Sequence, residues 1–336
     1  MNKKIYNPKS TETINSIVNG NPTGIANFVS PSRTIYKTIF EGQIARFWNP
    51  ATVNITEDKK AVKELSPSEY RMYELVFGKL IFNDSIVTNR IMDNINPIIT
   101  DPIANACIAF QAAEEALHSY SYAFIGDDIL GSEIIYELFK TDPELIKLAD
   151  KINGRYAAFD SDREVTDIDK AMVAIANLCL EGVSFPAGFL PIWALGNSMK
   201  GSASMITEIS RNELGSHLPL YVNIYNHIIE DCKLNRTELD KMAKALIIES
   251  GEEEKGFLKY SCENVLGFTH DSIDNFMDWI VSNRLRELNI EHDINANASD
   301  GLVKIFKSYS ELNDTRSNFF ESTVKNYSKQ ELDMSF

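Results

Sequence analysis

The stretch IAFQAAEEALHSYSYAFI, residues 108–125, places Ile108, Gln111, Glu115, His118, Tyr122 and Ile125 three and four residues apart. At 3.6 residues per turn these side chains share one face of an α-helix. Asp101-Pro102 supplies the start of that helix, which the periodicity carries to about Ile125. Glu115 and His118 therefore point a carboxylate and an imidazole at one locus on a largely apolar stripe. A carboxylate on a core face is costly unless it is paired or bound to a cation. One Glu-x-x-His pair also describes an ordinary satisfied core histidine, so the neighbouring helices decide what this one means.

Three of them repeat the anomaly. Ser66-Pro67-Ser68-Glu69 is a capping box with proline at the first helical position, and it opens a helix running to about Ile95. Asp84 lies on that helix's apolar stripe with Phe77, Leu80, Ile81 and Ile91. In the helical pattern from Thr166 to Leu190, Glu181 interrupts Leu178, Phe185 and Phe189 inside an otherwise uncharged stretch. From Ser202 to Ile229, Glu213 and His217 continue the face of Ile206, Ile209, Leu220 and Ile224. Four long helices thus each turn acid inward, and histidine accompanies two of them. Asp84, Glu115, His118, Glu181, Glu213 and His217 form a candidate ligand set whose four carboxylates and two imidazoles suit iron or manganese. Charge balance favours two cations. Zinc fits less well, since the set holds no cysteine and many carboxylates. Iron is the first expectation for this dinuclear centre, with manganese or a mixed pair accepted by the same donors.

Around these helices the chain reads as all-α. Helical patterns cover roughly Thr237 to Lys259 and Ser272 to Leu288, and alternating strand patterns are scarce. A further helix is expected between Ser30-Pro31-Ser32 and Asn49-Pro50, with Tyr36, Ile39, Phe40 and Phe47 as its apolar stripe and Trp48 at its closing end. Residues 1–30 read as an arm over the surface, 31–312 as one helical domain, and 313–336 as a tail without periodicity. Acidic residues outnumber basic ones 48 to 33, giving a net charge of -15 that repels nucleic acid and anionic membranes. The uncharged run Gly182 to Met199 is interrupted by Pro186, Gly188, Pro191, Gly196, Asn197 and Ser198, so it reads as a buried core helix and a turn. Cys107, Cys179, Cys232 and Cys262 are scattered, and Met1 to Ser10 lacks an apolar signal core. A cytoplasmic protein with free thiols is expected.

With these motifs in place the sequence resembles, over most of its length, the radical-generating small subunit of class I ribonucleotide reductase. That family has a ferritin-like bundle around a dinuclear metal site. The resemblance rests on Asp84, on Glu115-Ala-Leu-His118-Ser-Tyr-Ser-Tyr122, on Leu180-Glu181-Gly-Val-Ser-Phe185 and on Ile209-Ser-Arg-Asn-Glu213. It implies that the six acids and histidines bind the metals and that oxygen oxidises the reduced pair. It implies further that Tyr122 then becomes a stable radical in a dry pocket of Phe185, Phe189 and Ile209. Trp48, Asn212 and Tyr327 match positions that pass the radical to a separate large catalytic subunit, where ribonucleotides are reduced. Asn318-Phe-Phe-Glu321 leads to Tyr327, an acidic end with terminal Phe336 matches the segment that docks on that subunit, and a homodimer is the family expectation.

The sequence departs from the family pattern in two places. Glu213-Leu-Gly-Ser-His217 holds one residue more than Glu-x-x-His, so either the ligand register differs or a π-bulge absorbs the insertion. Asn212 stands where the family has an Asp, and an amide hydrogen-bonds without readily taking a proton. The route through Trp48 is therefore expected to be altered. The competing reading is a stand-alone ferritin-like dimetal oxidase or oxygenase, and a third is an iron-storage bundle. Tyr122 and the tyrosine-bearing tail argue against the oxidase, and a storage bundle would hold many iron atoms per assembled shell and need no partner.

Overall fold

In the computed structural model, which describes residues 6–131 and 133–310, the chain is helical and has no strand among the described residues. We number the helices α1 (Thr34–Ala45), α2 (Pro67–Arg90), α3 (Pro102–Phe124), α4 (Ile134–Thr141), α5 (Pro143–Gly154), α6 (Asp167–Cys179), α7 (Phe185–Ala194), α8 (Lys200–Asn212), α9 (Leu218–Asp231), α10 (Arg236–Ser261), α11 (His270–Glu287) and α12 (Gly301–Ser310). Short helical turns at Pro50–Thr52, Asp58–Ala61 and Val62–Glu64 link α1 to α2.

The start signals work as their chemistry requires. Ser66 accepts from the Glu69 N–H while the Glu69 carboxylate takes the Ser66 N–H, and Asp101 accepts from the N–H groups of Ile103 and Ala104. Among the described residues four π turns then interrupt the regular pitch, at Ile91–Ile95, Ile125–Leu130, Leu180–Ser184 and Glu213–His217. The third joins α6 to α7 and the fourth joins α8 to α9, making two long rods with a widened turn in the middle of each. Gly182 lies in the first of these turns, where a Cβ would stand 2.9 Å from Leu218 Cδ1 and 2.6 Å from Arg284 Cδ. Only glycine lets the two rods and α11 approach so closely there.

Packing follows the buried stripes. α2 lies against α3 and α7, α8 against α7 and α3, and α9 against α6, while α1 covers the outer side of α3 and α10 backs α6. Asp167–Ala194 is 28 residues long and apolar enough to cross a membrane, yet its apolar window is entirely buried in the bundle. The N-terminal segment is tied to the bundle by Ile17 and Val18, both buried. The Ile17 N–H donates to Asp231 at 2.7 Å, its carbonyl accepts from Thr100 N–H at 2.8 Å, and Val18 bridges to Ile99.

The first helix differs from expectation. It runs from Thr34 to Ala45, not from Ser30 to Asn49, and Phe47 is 59% exposed instead of lying on a buried stripe. The backbone leaves the helix at Arg46, which swings Trp48 inward, and Asn49 then caps a separate turn by accepting from Ala51 N–H. Helices α4, α5 and α12 were not expected from the sequence. The segment from Asn318 to Phe336, with Tyr327, lies outside the described residues.

Candidate metal centre

All six candidate ligands have side chains fully shut off from solvent, and the helices deliver them to one place. α2 brings Asp84, α3 brings Glu115 and His118, and the two internal π turns bring Glu181 and the pair Glu213 and His217. They form two overlapping groups, Asp84, Glu115, His118 and Glu213 on one side, and Glu115, Glu181, Glu213 and His217 on the other. In each group one donor atom per residue lies within 4.8 Å of the rest. Glu115 and Glu213 belong to both. His118 Nδ1 stands 2.9 Å from Glu213, 3.3 Å from Glu115 and 3.8 Å from Asp84. His217 Nδ1 stands 2.7 Å from Glu213, 3.0 Å from Glu115 and 3.6 Å from Glu181. Each imidazole thus faces both shared carboxylates and one of its own.

The extra residue between Glu213 and His217 is taken up by the π turn, which is the second of the two alternatives the spacing left open. The wider turn holds residues four apart on one side of the rod. Gly215 sits within it, where a Cβ would meet the Arg46 guanidinium at 2.8 Å, and the same arginine reaches Ser216 Oγ at 3.2 Å.

The electrostatics are those of acids crowded in a dry space. Burial pushes the carboxyls of Asp84 and Glu181 well above the ordinary range. Burial alone would lower His118 and His217, but the surrounding carboxylates, Glu213 foremost, outweigh it and raise both well above the usual imidazole value. Burial also works to raise Glu213 and Glu115, and for these two the contacts with the histidines prevail and hold them low. Both oxygens of Asp84 and one of Glu181 are buried without a hydrogen-bond donor. An oxygen-rich set with undonated carboxylates fits two hard or borderline cations.

A second layer of side chains orients the first. Asn212 Oδ1 accepts from Trp48 Nε1 at 3.1 Å and lies 3.2 Å from His118 Nε2, so the link expected from Trp48 through position 212 to a histidine is present, carried by an amide. Gln111 donates to Glu115 at 3.1 Å and to Glu181 at 2.8 Å, and its own oxygen accepts from Tyr221 at 2.9 Å. Glu114 accepts from Asn212, His217 and Gln43. Sequence reading missed the roles of Glu114, Gln43 and Tyr221. Glu114 did leave a signal, three residues after Gln111 and four before His118.

Tyr122 sits one turn beyond His118, fully buried, and its hydroxyl makes no hydrogen bond of normal geometry. Burial first, and then the nearby Asp84 carboxylate, keep the phenol protonated far above its usual range. The ring packed on it is Phe77, edge-on at 5.9 Å, which sequence reading had placed only as a stripe residue. Phe185, Phe189 and Ile209 are buried as expected. Phe185 stacks on Phe189 at 5.9 Å, and Phe189 continues to Trp193 at 5.6 Å.

The sequence matches the family model for the ribonucleotide reductase small chain over residues 27–299. The chain belongs to the ribonucleotide reductase small-chain family. Relatives of this small chain include ribonucleoside-diphosphate reductase subunit beta of Halalkalibacterium halodurans, 24% identical over 99% of this chain and 97% of that one. The subunit of the same name from Treponema pallidum is 28% identical over 93% of this chain and 90% of its own. The ribonucleotide reductase R2 subunit from Clostridium botulinum has the same fold, with a TM-score of 0.84 at 23% identity, covering 92% of this chain and 98% of that one. The dimanganese(II) NrdF of Streptococcus sanguinis superimposes with a TM-score of 0.70 at 21% identity, over 84% of this chain and 98% of its own. The ferritin-like bundle expected for a small chain is therefore this chain's fold, and its carboxylate-histidine cluster is a dinuclear metal centre.

Proposed function

We propose that this chain is the radical-generating half of a class I ribonucleoside-diphosphate reductase, with Tyr122 as the radical site and Asp84, Glu115, His118, Glu181, Glu213 and His217 as the metal ligands. The observation that carries the reading is the pair of ligand groups sharing Glu115 and Glu213, with Tyr122 one helical turn beyond His118. When bound, two iron ions, or manganese in their place, supply the oxidising equivalent drawn from oxygen. The protein does the rest. Asp84, Glu115, His118 and Glu213 would hold one ion and Glu115, Glu181, Glu213 and His217 the other, and Gln111 orients the carboxylates of Glu115 and Glu181 by donating to both.

Tyr122 would be the group oxidised, one electron going to the oxidised metal pair and its phenolic proton toward the neighbouring Asp84 carboxylate. Its burial beside Phe77 keeps water and reductants away from the oxidised ring. The oxidising equivalent then leaves by Trp48, through the contact with Asn212, for a separate large subunit that holds the ribonucleotide. Residues 313–336 are the segment that docks there through the acidic end and terminal Phe336 and passes the radical by Tyr327, with residues 1–30 as an arm and 31–312 as the helical domain. A homodimer in the cytosol completes the reading, in keeping with four free cysteines. The deciding experiment loads the metal-free chain with iron(II), or with manganese(II) and a superoxide source, admits oxygen and records the paramagnetic resonance spectrum. A tyrosyl signal present in the wild type and lost in Tyr122→Phe is expected. The same signal in that variant moves the radical elsewhere.

A further inference from the structure

Trp48 Nε1 is a donor and nothing else, so the atom of Asn212 that meets it is the amide oxygen. That orientation turns Asn212 Nδ2 the other way, onto Glu114 Oε1 at 2.7 Å. The second oxygen of Glu114 takes His217 Nε2 at 2.9 Å and Gln43 Nε2 at 3.1 Å. Three N–H groups from three separate elements therefore converge on one fully enclosed carboxylate, and no acid stands at position 212 to share the task. With Nε2 of each histidine engaged on this side, Nδ1 of each is left facing Glu115, Glu213 and one further carboxylate, Asp84 for His118 and Glu181 for His217.

We propose that Glu114 is a positioning residue for the dinuclear centre, the single carboxylate that fixes His217 directly and His118 and Trp48 through Asn212. The site needs an acceptor with no donor of its own. An amide at 114 would have to present its NH2 to Asn212, to His217 or to Gln43, setting donor against donor in a buried space. If Asn212 turned over to relieve this, its NH2 would face the Trp48 N–H. If His217 gave way instead, its ring would lose the partner that aims Nδ1 inward. Outer partners of this kind are worth about 10–100-fold in metal affinity.

The inference rests on the metal-centre reading, and the test separates the two. Full-length metal-free protein is titrated with manganese(II) alone, free ion being counted by paramagnetic resonance, for wild type, Glu114→Gln, Asn212→Asp and the double variant. Glu114→Gln should bind about 10–100-fold more weakly. Asn212→Asp should also weaken binding, because it sets a second carboxylate against Glu114 at the 2.7 Å contact. The double variant, which moves the carboxylate to 212 and the amide to 114, should bind better than either single one, a recovery that mere loss of packing cannot give. Glu114→Gln within about threefold of wild type, or a double variant no better than Glu114→Gln, overturns the role of Glu114. Should Glu114→Gln fail to fold, Asn212→Asp decides alone, and wild-type affinity in it overturns the proposal. Wild type that binds no manganese removes the metal-centre reading, and with it the proposal.

Discussion

Trp48 and His118, 70 residues apart in the chain, meet at one atom, the Oδ1 of Asn212, which lies 3.1 Å from the indole nitrogen and 3.2 Å from His118 Nε2. Through that amide oxygen the buried indole reaches a candidate ligand without touching the cluster itself. Trp48→Phe keeps an aromatic ring but removes the N–H and part of the buried indole's volume, leaving the amide oxygen with the histidine as partner. The expected cost is about 1 kcal/mol of stability. Metal content should stay at the wild-type level while nucleotide reduction with the large subunit drops to background. Full reduction by Trp48→Phe, measured beside metal analysis of the same preparation, would remove the indole from the transfer route.

The helices that carry the candidate ligands were legible because a helix has one buried stripe, and Asp84, Glu115, Glu181 and Glu213 each sat on one. Glu114 was passed over despite its spacing from Gln111 and His118, because a single-stripe reading keeps only one of two consecutive residues. α3 is enclosed on more than one side, with Gln43 of α1 closing the flank where Glu114 lies, so both acids are buried. The turn at Glu213–His217 could be suspected from one surplus residue. That at Leu180–Ser184 could not, since nothing in local propensity distinguishes a π turn held by tertiary contacts from plain helix. Phe77 shows the same limit: periodicity put it inside without saying which ring it would meet. The short helices α4 and α5 were passed over although Asp142, which accepts from the N–H groups of Glu144 and Leu145, is an ordinary cap.

Protons and metal ions compete for the centre, which fixes the sign of its pH dependence. His118 and His217 are held above their usual value, so the stability they add to the metal-free protein is complete below about pH 6.5 and is lost as pH rises through the raised values. Asp84 and Glu181 are also held high. Their cost accumulates from the ordinary carboxylate range up to those raised values, because the unfolded chain has already released the proton that the folded one keeps. Glu115 and Glu213, held low, act only in acid. The urea midpoint of metal-free protein should therefore fall between about pH 6 and about pH 8, while the stabilisation conferred by metal grows. Loading near neutral pH should release protons into weakly buffered solution. A metal-free protein that gains stability over this interval contradicts the assignment.

Truncation separates the centre from its delivery route. Tyr327 and Phe336 are far along the chain from every ligand, and the last helix described ends at Ser310. A chain ending at Asn326 should bind metal and form the Tyr122 signal as the full chain does, and should support no nucleotide reduction with the large subunit. Retained reduction would remove the tail from the docking role, and an oxidase activity that survives truncation without any large subunit would favour the self-contained oxidase.

Lys79 tests what holds the ligand-bearing π turn at Leu180–Ser184. Its ammonium is fully buried, donates to the Ser184 carbonyl at 2.6 Å and pairs with Glu254 at 2.8 Å. Burial lowers its pKa, and the attraction of Glu254 only partly opposes that. Lys79→Met strands the Glu254 charge in the core and should cost about 3–5 kcal/mol. Replacing both, as Lys79→Met with Glu254→Met, removes the unpaired charge and leaves only the Ser184 carbonyl without its donor. All but about 1–3 kcal/mol should then return. Because Glu181 rides on that turn, the double variant should also bind metal more weakly than wild type even where its stability is restored. Urea unfolding and manganese titration of the same samples measure both effects, and wild-type affinity in a stable double variant would show that the turn holds its shape without Lys79.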